Sequence, residues 1–323
     1  MYFLRALKSA LWREKRMEYF KYCNLGLVFG MVEPNYHSFK NLLQVLQDPF
    51  FSAIEIRDFW SYSDKEREEL QRILEISLLE VTYETQPLLL YHPEYNLNTP
   101  DSVVRERTIK RMKKEIDAAA LLKARNIVTS SGKFLEEIPE EEQLSYLIES
   151  LQILSAYAQE KGIQFLLEPF DRSVDKKMLI GPLSATLEVA RQINKKYSNF
   201  GILLDCARFP HFPESSEEIV HALQDYIMQV HIGNCVLGDP ESPAFGDKHP
   251  RFGFLGELND MEELAYFLKE LFDVGFLKLG GDKIISLEAR PIEGEEPELI
   301  IANLKRAFLK AWKLHRSTNP ESR

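Results

Sequence analysis

Four apolar segments of this 323-residue chain each run out into a residue able to hold a metal ion. Gln164-Phe165-Leu166-Leu167 leads to Glu168, Gly201-Ile202-Leu203-Leu204 to Asp205, Ile227-Met228-Gln229-Val230 to His231, and Ile284-Ile285-Ser286-Leu287 to Glu288. Three carboxylates and an imidazole make a mixed oxygen and nitrogen shell, which suits Mn²⁺, Mg²⁺, Co²⁺ or Zn²⁺ and leaves coordination positions for substrate oxygens. A hydroxy-ketone chelated in such a shell becomes acidic at the carbon beside its carbonyl. The enediolate that forms is held by the metal charge, while carboxylates on opposite faces, Glu168 and Glu288, take and return the proton. Any one of these acids alone is more simply an ion-pair partner. The ordered set at four matching segment ends carries the metal reading.

Such a set needs parallel strands that end at one level. Runs of four to eight residues rich in Leu, Ile and Val with little polar alternation are the pattern of strands buried on both faces, as parallel strands under helices must be. Four of them precede the metal-capable set: Tyr22 to Phe29, Phe51 to Ile56, Leu78 to Tyr83 and Asn126 to Thr129. Helical periodicity separates the strands, over His37 to Gln47, from near Ser63, Thr99 to Lys123, Glu141 to Lys161, Pro182 to Tyr197, Ser216 to Asp225 and Asp260 to Val274. Ser63 ahead of Asp64 and Glu66 suits an N-cap. Alternating strands and helices repeated eight times predict an α/β fold, a (β/α)8 TIM barrel with its chemistry at the C-terminal strand ends. An open doubly wound sheet lacks its signature here, because Gly26-Leu27-Val28-Phe29-Gly30 after the first strand is not a glycine-rich phosphate loop. The expected division is an N-terminal helical extension over 1–20, one barrel over 21–316 and a short tail over 317–323.

A formal net charge of −10 argues against a general binder of phosphate backbones. Three cysteines, Cys23, Cys206 and Cys235, show no C-x-x-C spacing, so neither a disulfide framework nor a cysteine zinc site is expected, and a cytoplasmic home follows. Cys206 and Cys235 read as small buried hydrophobes. No window approaches the roughly 20 apolar residues that span a bilayer. The basic, amphipathic first twenty residues read as a helix that caps the barrel or packs on a second copy.

The segment Leu167-Glu168-Pro169-Phe170-Asp171-Arg172, with Leu204-Asp205, Val230-His231 and Leu287-Glu288 in order after it, resembles the xylose-isomerase-like TIM-barrel superfamily of sugar isomerases and epimerases. The resemblance covers about Leu25 to Trp312. It implies Glu168, Asp205, His231 and Glu288 as ligands of one divalent metal, Mn²⁺ in the first place, with Glu168 and Glu288 as the acid/base pair. Asp247-Lys248-His249 resembles the D-x-H pair that follows strand seven in several members, where the endonuclease branch uses it for further zinc ions. Two positions depart from the family. Members often carry His three residues after the strand-six Asp, whereas this chain has Arg208, with His211 only later. The epimerase branch places a second Glu six residues after the strand-five ligand, whereas this chain has Val174. The further histidines of multi-zinc endonucleases are missing near Arg57, Thr85 and Ser130, so a nucleic-acid substrate is not expected.

From Ile232 to Glu257 the chain offers no periodic element, and a loop of that length in a compact domain is usually functional. It reads as a substrate lid in which His249, oriented by Asp247, is a general acid or base. Arg208, His211, Asn234, Asp247 and Arg251 are the expected substrate contacts. The predicted function is a metal-dependent sugar isomerase or epimerase that acts on a small sugar or sugar derivative, away from membranes, with self-association into a homo-oligomer left open. A lyase or dehydratase on a keto-sugar or 3-keto-glycoside is the runner-up, since the same enediolate can expel a leaving group. A non-catalytic sugar-binding barrel stands third.

Overall fold

Eight short strands form one parallel sheet in the order β1-β8-β7-β6-β5-β4-β3-β2. They are β1 (Asn24–Leu27), β2 (Ala53–Ile56), β3 (Glu80–Glu84), β4 (Asn126–Thr129), β5 (Gln164–Leu167), β6 (Phe200–Asp205), β7 (Ile227–Ile232) and β8 (Ile284–Leu287). The ring closes between β1 and β2 through a parallel bridge of Val28 with Glu55 and a hydrogen bond from Ser52 N to Leu25 O of 2.8 Å. The computed structural model describes residues 17–33 and 39–318. Most of the expected N-terminal extension lies outside them, and of it only the start of a 3-10 turn at Glu18–Lys21 is described.

The strands are buried along nearly their whole length because helices cover one face and barrel packing the other; β2, β4, β6 and β8 show no residue above the buried class. Each fully buried Leu or Ile contributes roughly 1.5–3 kcal/mol relative to exposure. Helix starts are fixed by side-chain caps that satisfy otherwise orphaned amides. Ser63 forms a capping box with Glu66 at the helix Asp64–Ser77, Ser215 forms one with Glu218 at Ser216–Leu223, and Asp101 and Asp260 cap Ser102–Leu121 and Met261–Asp273.

Three α-helices were not expected from periodicity, the first being the single turn Phe29–Val32, which begins where the expected first strand ends. Gln86–Tyr91, with Pro near its start, is too short to show a period. Pro297–Thr318 is the last described helix and continues past the expected barrel boundary at 316. Below the strands, Tyr19, Phe50, Phe308 and Trp312 pack into an aromatic plug. Among the described residues no helix is long and apolar enough to cross a membrane, and Cys23, Cys206 and Cys235 are buried and unpaired.

Candidate metal centre at the barrel mouth

Parallel strands in register place their C-terminal residues side by side, and Asp205 of β6 pairs directly with His231 of β7. Glu168 and Glu288 are the first residues beyond β5 and β8. One ligand atom from each of Glu168, Asp205, His231 and Glu288 lies within 4.8 Å of all the others. The exposures of these residues are 1%, 3%, 1% and 5%.

A concentration of buried acids perturbs every group in it. Burial raises the Glu168 and Asp205 carboxyls above their usual range, against the pull of Arg208. Burial would raise Glu288 as well, but His249 and His231 outweigh it and hold that carboxyl at about 2. His231 is raised well above the ordinary imidazole because Glu55 and Glu288 overcome its desolvation. The two glutamates therefore differ, the Glu288 carboxyl being lowered and the Glu168 carboxyl raised.

His231 is held from behind. Its Nε2 lies 2.9 Å from Glu55 Oε1, and Glu55 also accepts from Gln229 Nε2 at 2.5 Å. Gln229 Oε1 accepts in turn from Asn126 Nδ2 at 2.6 Å and Thr82 Oγ1 at 3.0 Å. A carboxylate behind a ligating imidazole fixes its tautomer and leaves the other nitrogen, here Nδ1, for a cation. Nδ1 faces Glu288 Oε2 at 2.8 Å.

The donor set fits a divalent cation. Asp205 Oδ2, His231 Nδ1 and Glu288 Oε2 are buried atoms without a hydrogen bond, and three carboxylates plus one imidazole match the ligand chemistry of Mg²⁺, Mn²⁺ or Zn²⁺ sites. Gln86, which sequence patterning did not single out, donates Nε2 to Glu168 Oε2 at 2.6 Å and orients that carboxylate.

The strand-seven loop delivers its D-x-H pair to the same place. His249 Nε2 lies 2.7 Å from Asp247 Oδ1 and 3.6 Å from Asp205 Oδ2, and Asp205, Asp247 and His249 form a second close cluster. His249 adopts φ 52°, in the left-handed region uncommon for residues other than glycine. Arg290 N donates to its carbonyl at 2.7 Å. Gly233, just past β7, makes room for the ring: a Cβ there would meet His249 Nδ1 at 2.8 Å. Desolvation lowers His249, but Glu288 and Asp247 prevail and push it up to about 9.

Arg208 is the most intimate of the expected substrate contacts. Its Nη1 pairs with Glu168 Oε1 and lies 2.8 Å from Asp205 Oδ2, while Nε is 3.3 Å from Asp247 Oδ1. The Phe170 ring supports the guanidinium at 3.8 Å. Arg208, Glu168, Asp247 and Phe170, with Glu84, Arg57 and Lys176, line a cavity of about 60 Å³. Burial pushes Glu84 up to about 8, opposed by Arg57.

Of the other expected contacts, Asn234 and Arg251 lie elsewhere, whereas His211 sits near enough to Asp247, Asp171 and Arg208 to feel their charges. Asn234 is a loop staple, with Oδ1 accepting from Cys235 N and Asn259 N and Nδ2 donating to Glu257. Arg251 turns to Glu295 at 2.8 Å and lines a separate outer groove. His211 ends the 3-10 turn Cys206–His211, and burial lowers it.

The family model of the xylose isomerase-like TIM barrel matches residues 49–311. The chain belongs to that family. A search of curated proteins finds no match. Among solved structures the chain is similar to an L-ribulose 3-epimerase, with 18% identity over 93% of this chain and 98% of that one and a TM-score of 0.70. It is likewise similar to a D-psicose 3-epimerase from Clostridium cellulolyticum H10, at 18% identity, coverage of 91% and 98%, and TM-score 0.63. An IolI protein with a bound zinc atom gives 18% identity, coverage of 91% and 97%, and TM-score 0.63. At such identities the likeness shows the shared barrel.

Proposed function

We propose that this member of the family is a metal-dependent sugar isomerase or epimerase that moves a proton at the carbon beside a ketose carbonyl. The observation that carries the reading is the convergence of Glu168, Asp205, His231 and Glu288, all buried, with Asp205 Oδ2, His231 Nδ1 and Glu288 Oε2 left without a hydrogen bond. The solved relatives named for ketose 3-epimerisation support the sugar class.

A divalent cation bound there, Mn²⁺ in the first place, would supply the positive charge that lowers the acidity barrier of the substrate carbon. Glu288, ionised and held by two imidazoles, is suited to take the proton, and Glu168, with its raised carboxyl, to return one from the other face. Gln86 and Glu55 keep Glu168 and His231 in place. Arg208 and the strand-seven loop keep water from the cluster, since His249 and Asp247 are themselves buried.

The His249–Asp247 dyad favours one second reading. A charged imidazole beside the cluster is a third proton-handling group, suited to protonate a departing oxygen in a lyase acting on a keto-sugar or 3-keto-glycoside.

Incubation with a panel of ketoses in deuterated water tests the first reading, which expects deuterium at the carbon beside the carbonyl in metal-loaded protein. Release of water or an aglycone without exchange moves the assignment to the lyase. Unchanged metal content in Glu168→Gln removes the proposed shell.

A further inference from the structure

We propose that Arg208 and the metal compete for Glu168 and Asp205, and that the guanidinium freed by metal binding is re-paired by an anionic group of the substrate, a carboxylate or a phosphate. The inference rests on the metal-centre reading above and names the substrate class for that site.

Arg208 Nη1 is shared between two of the four proposed ligands, Glu168 Oε1 and Asp205 Oδ2. A guanidinium cannot shed its charge, and a cation drawing on the same oxygens must weaken its hold. Of the three carboxylates around Arg208, only Asp247 lies outside the set of four. The side chain is 4% exposed, so water is a poor substitute for the partners it loses. Phe170, stacked at 3.8 Å, supports the guanidinium plane while its partners change. The planar fork matches a carboxylate or phosphate edge.

A second cation lines the same cavity. Asp171 accepts from the backbone amides of Val174, Asp175 and Lys176, each at 2.7 Å, and so shapes the turn after β5. In that turn Val174 does not reach the cavity, whereas Lys176 does, with Nζ bonded to Asp175 Oδ2 at 2.6 Å and Asp247 O at 3.0 Å. One departure from the family pattern thus presents Arg208, and the turn that carries the other, Val174, brings Lys176 to the same cavity. Arg208 and Lys176, set beside the proposed ligands in the two segments where the family pattern is broken, favour a sugar acid or sugar phosphate.

Calorimetric titration of the whole chain with Mn²⁺ tests this without any turnover. Arg208→Gln is expected to bind Mn²⁺ at least tenfold more tightly than the native protein. In the native protein a 2-keto sugar acid or a ketose phosphate should tighten Mn²⁺ binding at least fivefold more than a neutral ketose does, and Arg208→Gln should lose that difference, because coupling between two ligands is reciprocal. Coupling to the acid alone or to the phosphate alone identifies the source of the anion. Equal Mn²⁺ affinity in both proteins, or equal coupling to the neutral ketose, overturns the proposal while the metal centre stands. Absence of Mn²⁺ binding from both overturns the metal centre and this proposal together. Should Arg208→Gln not fold, Arg208→Lys keeps the charge without the fork, and undiminished coupling to the anion in that variant overturns the proposal.

Discussion

The two ends of the barrel are built on opposite terms. At the N-terminal end Tyr19, Phe50, Phe308 and Trp312 meet ring to ring, with centroids 5.3–5.7 Å apart for Tyr19–Phe50, Tyr19–Phe308 and Phe308–Trp312, and the Tyr19 hydroxyl donates to Phe50 O at 3.0 Å. At the C-terminal end Glu168, Asp205, Arg208, His231, Asp247, His249 and Glu288 crowd together with several ligand atoms left without hydrogen bonds. Apolar burial at the first end stabilises the fold, and buried charged groups with incomplete hydrogen bonding at the second cost stability. A chain that keeps such a cost at one end and avoids it at the other has concentrated its chemistry there.

Substitution at each end should break different properties. Glu168→Gln removes both a ligand and a proton carrier, so deuterium exchange into an accepted ketose should fall by about 10²–10⁴-fold, while thermal unfolding of the metal-free protein stays near native or improves. A large loss of thermal stability would show that Glu168 is a structural ion-pair partner. Phe308→Ala does the reverse. It empties a fully buried site at a cost of about 3–5 kcal/mol, read as a fall in Tm of about 5–10 °C. Mn²⁺ affinity of the folded fraction should not change. A parallel loss of affinity would show that the two ends are coupled through the strands.

Between the ends lies Glu55, at mid-height in β2, hydrogen-bonded to Gln229 and 2.9 Å from the His231 ring. Glu55→Gln keeps its shape and removes the charge that orients His231. Metal affinity should drop about 10–100-fold, measured by calorimetry, with a smaller effect on Tm than Phe308→Ala. Unaltered affinity would assign Glu55 to the core alone.

Glu55 also marks the limit of what the sequence makes legible. All eight strands and the four strand-end residues can be read along the chain because apolar runs of strand length announce them, and one metal-capable residue ends each of four runs. Glu55 interrupts Ala53-Ile54-Glu55-Ile56 as a lone charge in an apolar strand, and that oddity was the available signal. Gln86 and Lys176 carry no such mark, since a six-residue helix and a loop turn have no period to violate. Asn234 and Arg251 attract notice by lying in the long loop, yet side-chain direction there is set by contacts far along the chain, Glu257 and Glu295.

The smallest expected effect comes from a buried carboxyl that belongs to neither end. Glu270 sits in the helix Met261–Asp273 at 2% exposure, where its carboxylate accepts from Ser216 Oγ at 2.9 Å. Burial pushes it up to about 7, only partly offset by that bond. A folded-state pKa above the ordinary 4.5 means that the protonated form is the one the fold accommodates. Its stabilising share is therefore complete below about pH 4.5 and fades as the pH climbs through about 7. Glu270→Gln holds a neutral group of the same shape at every pH, so its Tm should match the native protein near pH 5 and exceed it by about 1–3 °C at pH 8. Thermal unfolding of both proteins from pH 5 to 8 reads the gap. A gap that stays flat would mean Glu270 is stably ionised, and the cost assigned to buried acids at the mouth would then need another cause than desolvation.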